Sequence, residues 1–220
     1  MADNEYPDYS LAVPWQTAAS VFDETWGYRS WQERGALQPK VEEKIESMIK
    51  VVSRGGNYLL NIGPRGDGSL VPFEQDLLQS MGRWLQANGE AVYGTEASPF
   101  MRLFPWGEVT ASKDALYLFV KSEYAGKEIE LDHLDGNIGS VGLLSSGASL
   151  RFRSLGGKET STRVVLPAQF ASSYEVVKVA FRDGFSVIPE NVVSSSQLTP
   201  THAKCDFGHS SLNYYAGYKS

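Results

Sequence analysis

The most constraining stretch of this sequence is short. Residues 57–62 read NYLLNI, apolar between Asn57 and Asn61, with Gly55-Gly56 before them and Gly63-Pro64 after. Six residues bounded by glycine and proline are too few for a buried helix and suit a strand. The segment before it, PKVEEKIESMIKVVS, places Val41, Ile45, Met48, Ile49 and Val52 at i, i+4, i+7, i+8 and i+11. That is one face of a helix, with Pro39 suited to its first turn and Gly55-Gly56 able to end it. The segment after it, PFEQDLLQSMGRWLQANG, collects Phe73, Leu77, Leu78, Met81, Trp84 and Leu85 on one side. Helix, strand and helix with short connections are the grammar of an α/β layer. A strand apolar on both faces suits a parallel sheet covered by helices. About two such strands fit in the first hundred residues, and a two-stranded parallel sheet cannot cover its own edges. The expectation is that more strands join it, from a longer protein or from another chain.

The pattern changes near residue 99. ALYLFV, EIEL, SVGLL, LRFR, STRVVLP and YEVVKVAF are short β-rich runs. KSEYAGK, DHLDGN, SSGAS, SLGGKE and AQFASS separate them as turns. Strands at this spacing predict an antiparallel β-sandwich. The predicted organisation is an α/β unit over residues 1–98, a sandwich over 99–188, and a Ser- and Tyr-containing tail over 189–220 that lies on the sandwich.

Composition narrows the function. A net charge of −6 with both signs interspersed argues against a nucleic-acid partner, which asks for a basic face. No apolar run approaches the ~18 residues of a membrane span. MADNEYPDYS has neither the basic start nor the apolar core of a signal peptide. The single cysteine, Cys205, makes no internal disulfide.

Three motifs remain. The loop GPRGDGS lacks the lysine of a phosphate loop and the carboxylates of a calcium loop. Arg65-Gly66-Asp67 spells an adhesion tripeptide, a sequence that recurs by chance, and a turn-rich rim loop is the favoured reading. His202, Cys205 and His209 have zinc-ligand spacing, but three such residues in a polar tail point more to an exposed segment than to a metal; no metal or cofactor is expected. The N-terminal stretch sets Glu5 and Asp8 among Tyr6, Tyr9, Trp15, Trp26, Tyr28 and Trp31. Carboxylates among aromatic rings suit glycoside cleavage, where sugar faces stack on rings and two carboxyl groups do the chemistry. The alternative, a loop covering a core with its aromatics, is equally compatible with composition.

At this point the residues resemble a known family. WQTAASVFDETWGYRSW, followed by VVSRGGNYLLNIGPRGDGSLVPFEQDLLQSMGRWLQANGEAVYGT, is similar to the α-L-fucosidases of glycoside hydrolase family 29. The family pattern is W-E-T, S-[WF]-G-Y, V-S-[KR]-G-G-N-x-L-L-N-[IV]-G-P-x-x-D-G and G-x-W-L-x-x-N-G-E-A-[IV]-Y-G-T, and the match spans about residues 3 to 98. The β-rich half resembles the same family's C-terminal sandwich.

The resemblance implies the C-terminal portion of a (β/α)8-like barrel followed by an antiparallel β-sandwich, with GGNYLLNIGP as the last barrel strand. A full barrel needs about 250 residues, so earlier strands would precede Met1. It implies retaining hydrolysis of terminal α-L-fucose from glycans, with an Asp nucleophile on a middle strand outside these residues. The acid/base position of the T-[PA]-E-Y segment falls on Asp8, with Glu5 as its rival. Trp26 takes the aromatic position near the fucose methyl, with Trp15 and Tyr28 as further substrate-binding candidates. Gln16 stands where the family has the Glu of W-E-T; it can hydrogen-bond substrate but cannot serve as an acid. Fucosylated glycans are the implied partners, with no nucleic acid or membrane. Self-association is left open, as is the compartment, which for such enzymes is lysosomal, periplasmic or extracellular. A non-catalytic carbohydrate-binding or scaffolding sandwich module is the competing reading.

Overall fold

A computed structural model gives the fold and describes residues 5–8, 10–11, 13–23, 26–155 and 160–188. The tail and its His202, Cys205 and His209 lie outside the described residues. In chain order the elements are β1 (Trp15–Ser20), α1 (Leu37–Ser53), β2 (Gly56–Asn61) and α2 (Pro72–Asn88). There follow β3 (Gly107–Ser112), β4 (Ala115–Lys121), β5 (Glu128–Asp132), β6 (Leu134–Leu143), β7 (Phe152–Leu155), β8 (Ser161–Val165) and β9 (Tyr174–Val187).

β1 and β2 pair in parallel, in register from Trp15 opposite Gly56 to Ser20 opposite Asn61. Gly56 is required there. A Cβ on it would lie 2.4 Å from the Trp15 ring, so the strands close only over a residue without one. Tyr58 and Leu60 turn toward α1 and α2, whose Ile45, Met48, Ile49, Leu77, Met81 and Trp84 are buried. The strand was expected to be covered on both faces. Instead Asn57 and Leu59 point to the opposite side, where Leu59 keeps 49% of its surface exposed.

The other strands form two antiparallel sheets. One has the order β3-β4-β9-β6, the other β5-β8-β7. Their facing sides enclose Trp106, Leu118, Leu131, Val141, Val164, Val177 and Val179, a β-sandwich core. Of the stretches expected to turn, DHLDGN does not. His133 alone bends, at φ 58°, and β6 begins at Leu134. Its partner β9 runs to Val187, and the pairing slips between Gly136 and Ser140. β3 was not foreseen, because GEVTAS is small and weakly alternating.

β4 joins the layers. Its Leu116, Leu118 and Val120 enter the sandwich core, while Ala115, Tyr117 and Phe119 face the helices. Trp84 of α2 stacks on Phe119 with ring centroids 6.4 Å apart, and its Nε1 donates to the Tyr174 carbonyl at 3.4 Å. Glu90, just after α2, accepts from Lys178 Nζ and from the Tyr117 hydroxyl, the latter at 2.8 Å. Arg54 pairs with Glu108 at 3.3 Å. The helical layer is therefore packed on the sandwich through a shared hydrophobic cluster rimmed by polar bonds.

Candidate functional site

Beyond the C-terminal ends of β1 and β2 two segments touch, residues 26–31 and the loop 62–70. Three contacts hold them. Asn61 Nδ2 donates to the Trp26 carbonyl at 2.7 Å. The Gly63 backbone lies so close that a Cβ there would be 2.8 Å from Gly27 C and Tyr28 N. The Gly63 N–H donates to Oε2 of Glu74 at 2.9 Å. Glu74 is 4% exposed, two residues after Pro72 opens α2. The bond ties the loop to the first turn of α2 across eleven residues; it is a tertiary contact, not a helix cap, and nothing local in the sequence marks it.

The loop is internally locked. Gly68 N–H donates to the Arg65 carbonyl, and Asp67 Oδ1 accepts from the Ser69 N–H, both at 2.9 Å. The hydrogen bonds from Ser69 hold the Asp67 carboxyl below its ordinary range. The Arg65 guanidinium folds over the Tyr28 ring, 5.9 Å from its centroid, and donates to the Ser69 hydroxyl at 3.3 Å. Arg65 folds back onto Tyr28 and Ser69, while Asp67 stays exposed and accepts the Ser69 N–H.

This rim presents Trp26 and Tyr28, 42% and 39% exposed. Gln16 is exposed on the uncovered side of the strand pair, opposite Asn57 in register. Trp15 has a different place. Its ring is buried against Gly56 and its Nε1 donates to the Arg54 carbonyl at 3.1 Å, so it is not an open platform in this structure.

The two carboxylates are separated from the rim and from each other. The Glu5 carbonyl accepts from Thr17 Oγ1 at 2.6 Å, beside the middle of β1. Tyr6 lies against Lys50 and Arg54, with Arg54 5.3 Å from its ring centroid. Asp8 lines a cavity of about 300 Å³ with Ser53, Arg54, Ser98, Phe100 and Glu108. That is the end where β2 begins, whereas Trp26 sits where it ends. A six-residue strand spans about 20 Å. The structure thus brings Trp26 and Tyr28 to the upper end of the strand pair, sets Gln16 on its uncovered side near the lower end, leaves Asp8 at the lower end, and runs the chain downward from Glu5 to Asp8.

A helix-backed parallel strand pair, a braced rim and a β-sandwich packed on the helices are shared with solved glycoside hydrolases. The profile of the family described as Alpha-L-fucosidase matches residues 1–90. Rat tissue alpha-L-fucosidase is 41% identical over 95 residues, 43% of this chain and 20% of that protein. Rat plasma alpha-L-fucosidase is 33% identical over 173 residues, 76% of this chain and 37% of that protein. The crystal structure of alpha-L-fucosidase from Vibrio sp. strain EJY3 superposes with a TM-score of 0.72 at 29% identity, over 84% of this chain and 33% of that one. Over residues 1–90 the chain belongs to the α-L-fucosidases of glycoside hydrolase family 29. It spans about a fifth to two fifths of the length of these curated relatives.

Proposed function

We propose that the chain is the C-terminal portion of a retaining α-L-fucosidase: the last two strands and helices of a (β/α)8-like barrel over residues 1–98, and the sandwich that braces them. The observation that carries this is the β1–β2 pair, roofed by α1 and α2 on one face and bare on the other at Leu59. In a parallel barrel the substrate lies over the C-terminal ends of the strands. Trp26, Tyr28 and the loop 62–70 stand at those ends, and Gln16 faces the side that would become the barrel interior. Trp26 offers an apolar face to the deoxy-sugar methyl, while Gln16 and Asn57, the second residues of their strands, lie deeper on the same interior side. The nucleophilic carboxylate comes from barrel strands that cover the bare face, and this chain alone turns over no fucoside.

Retaining hydrolysis sets the second carboxyl about 5–5.5 Å from the nucleophile, where it protonates the leaving oxygen and then activates water. Asp8 holds the acid/base position by the family motif and Glu5 is its rival. Thr17, which holds the Glu5 carbonyl, lies on the helix-covered side with Tyr58, and Asp8 lies at the lower end, so neither carboxyl stands over the bare face here. The test is a chimera in which this chain replaces the matching C-terminal region of rat tissue alpha-L-fucosidase. Turnover of an aryl α-L-fucoside is expected, and the variant, Glu5→Gln or Asp8→Asn, that loses it and regains it with azide identifies the acid/base. A folded chimera that binds L-fucose without turning it over would overturn the catalytic reading. It would favour a carbohydrate-binding module, the second reading that the remoteness of Asp8 supports.

A further inference from the structure

We propose that Trp31 is a second sugar platform, taking the neutral hexopyranose to which the terminal sugar is attached. The proposal rests on the fucosidase reading of the rim and extends it outward. Trp31 is 75% exposed, the most open of the tryptophans described. It is not on a loose loop. The Gln32 N–H donates to the Arg29 carbonyl at 3.3 Å, closing a turn. The Arg34 guanidinium then clasps both carbonyls, Gln32 O at 2.9 Å and Arg29 O at 3.3 Å. The Arg29 guanidinium lies 5.7 Å from the centre of the Trp31 ring, fixing its attitude from one side. A turn tied this closely around a large aromatic, with most of its surface left in water, presents that surface to something.

The surroundings select a sugar. A protein-docking surface gathers apolar side chains and excludes charge from its centre. Here the exposed rings of Trp26, Tyr28 and Trp31 alternate with Arg29, Gln32 and Glu33, giving isolated aromatic faces among hydrogen-bonding groups. A pyranose needs that mixture, C–H groups against a ring and hydroxyls against polar neighbours. The sugar is neutral because the nearby cations are engaged: Arg34 with backbone carbonyls, Arg65 with Ser69 and Tyr28, and Arg29 with the Trp31 ring itself. Trp31 lies four residues beyond Gly27, whose backbone abuts Gly63, so the platform continues the rim.

The test uses the full chain labelled with ¹⁵N. Each of its five tryptophans gives one indole N–H signal. L-fucose and lactose are titrated separately, with free indole as a third probe. Lactose is expected to shift the Trp31 signal with millimolar affinity, the range open to a single stacking contact. Trp31→Ala should abolish the lactose response and leave the fucose response of Trp26 unchanged. A Trp31 signal that lactose leaves unmoved overturns the proposal, as does one that moves with free indole but not with lactose, which marks a protein-docking surface. The two readings fail separately: a Trp26 signal unmoved by fucose counts against the fucosidase rim, whatever Trp31 does.

Discussion

Gly63→Ala is the sharpest single test of how the rim is held. The added Cβ would sit 2.8 Å from Gly27 C and Tyr28 N, and 3.1 Å from Gly27 O. All three are backbone atoms, so no rotamer change relieves the clash. The two segments must part by about 0.6 Å to reach ordinary contact, and overpacking of this kind costs roughly 1–3 kcal/mol. Parting them also stretches the Gly63 N–H bond to buried Glu74, a hydrogen bond of the kind worth about 1–3 kcal/mol when its acceptor is charged. The clash alone, taken near 2 kcal/mol, corresponds to a melting temperature lower by about 4–8 °C for a chain of this size. Gly66→Ala is the control in the same loop, because its Cβ would meet nothing within 4 Å. Thermal unfolding by circular dichroism reads the stability, and the Trp26 indole signal reads the geometry. The reasoning fails if Gly63→Ala melts with the wild type, or if the Trp26 signal stays where Gly66→Ala leaves it.

Four further outcomes are expected. Glu74→Ala strands the buried Gly63 N–H and should cost about 1–3 kcal/mol, while Glu74→Gln keeps an acceptor and should recover most of it in urea unfolding. Phe119→Ala removes a fully buried ring shared by α2 and the sheet, and should cost about 3–5 kcal/mol; because both layers use it, one unfolding transition should shift rather than two separate. The hydrogen bond from Lys178, with a smaller one from Tyr117, holds the Glu90 carboxyl below its ordinary value despite some burial. A depressed folded-state value means the contribution is present above the unfolded glutamate value and lost as pH falls through the folded one. Glu90→Gln should therefore lower stability at neutral pH by less than about 1 kcal/mol, the pair being half-exposed, and flatten the acid limb of a stability–pH curve. Leu59→Asn should weaken binding of a hydrophobic dye, since Leu59 is the large apolar group on the bare face of the strand pair.

The helices were legible because their apolar residues repeat at helical spacing over 17 residues each, and that signal depends on no distant partner. β2 was legible from its bounding glycines, and β4, β5, β8 and β9 from β-branched and aromatic runs. β1 was not. WQTAAS has small residues and only a weak alternation, and its strand character comes from pairing with β2 across the Trp15–Gly56 contact. β3 escaped for the same reason, being set by its register with β4. Local propensity is silent where a strand is fixed by its neighbour.

The site divides along the same line. Trp26, Tyr28 and Gln16 stand close to an ordered strand or loop, and their places follow once β1 and β2 are paired. Asn61, Gly63 and Glu74, which hold them there, gain meaning only from contacts across the chain. The carboxylates differ again. Asp8 was singled out by its place in a motif, seven residues before Trp15, and spacing says nothing about the direction in which a segment runs. The bond from Thr17 to the Glu5 carbonyl and the cavity contacts of Asp8 supply that direction: upstream residues lie nearer the rim. An acid/base must reach the C-terminal face of the barrel strands. If the segment 5–8 keeps this course when the barrel is whole, neither carboxyl reaches that face, and Glu5→Gln and Asp8→Asn in the chimera should each leave the rate constant within about twofold, a barrier change under 0.5 kcal/mol. A loss of several hundredfold would mean that completing the barrel reverses the path of this segment.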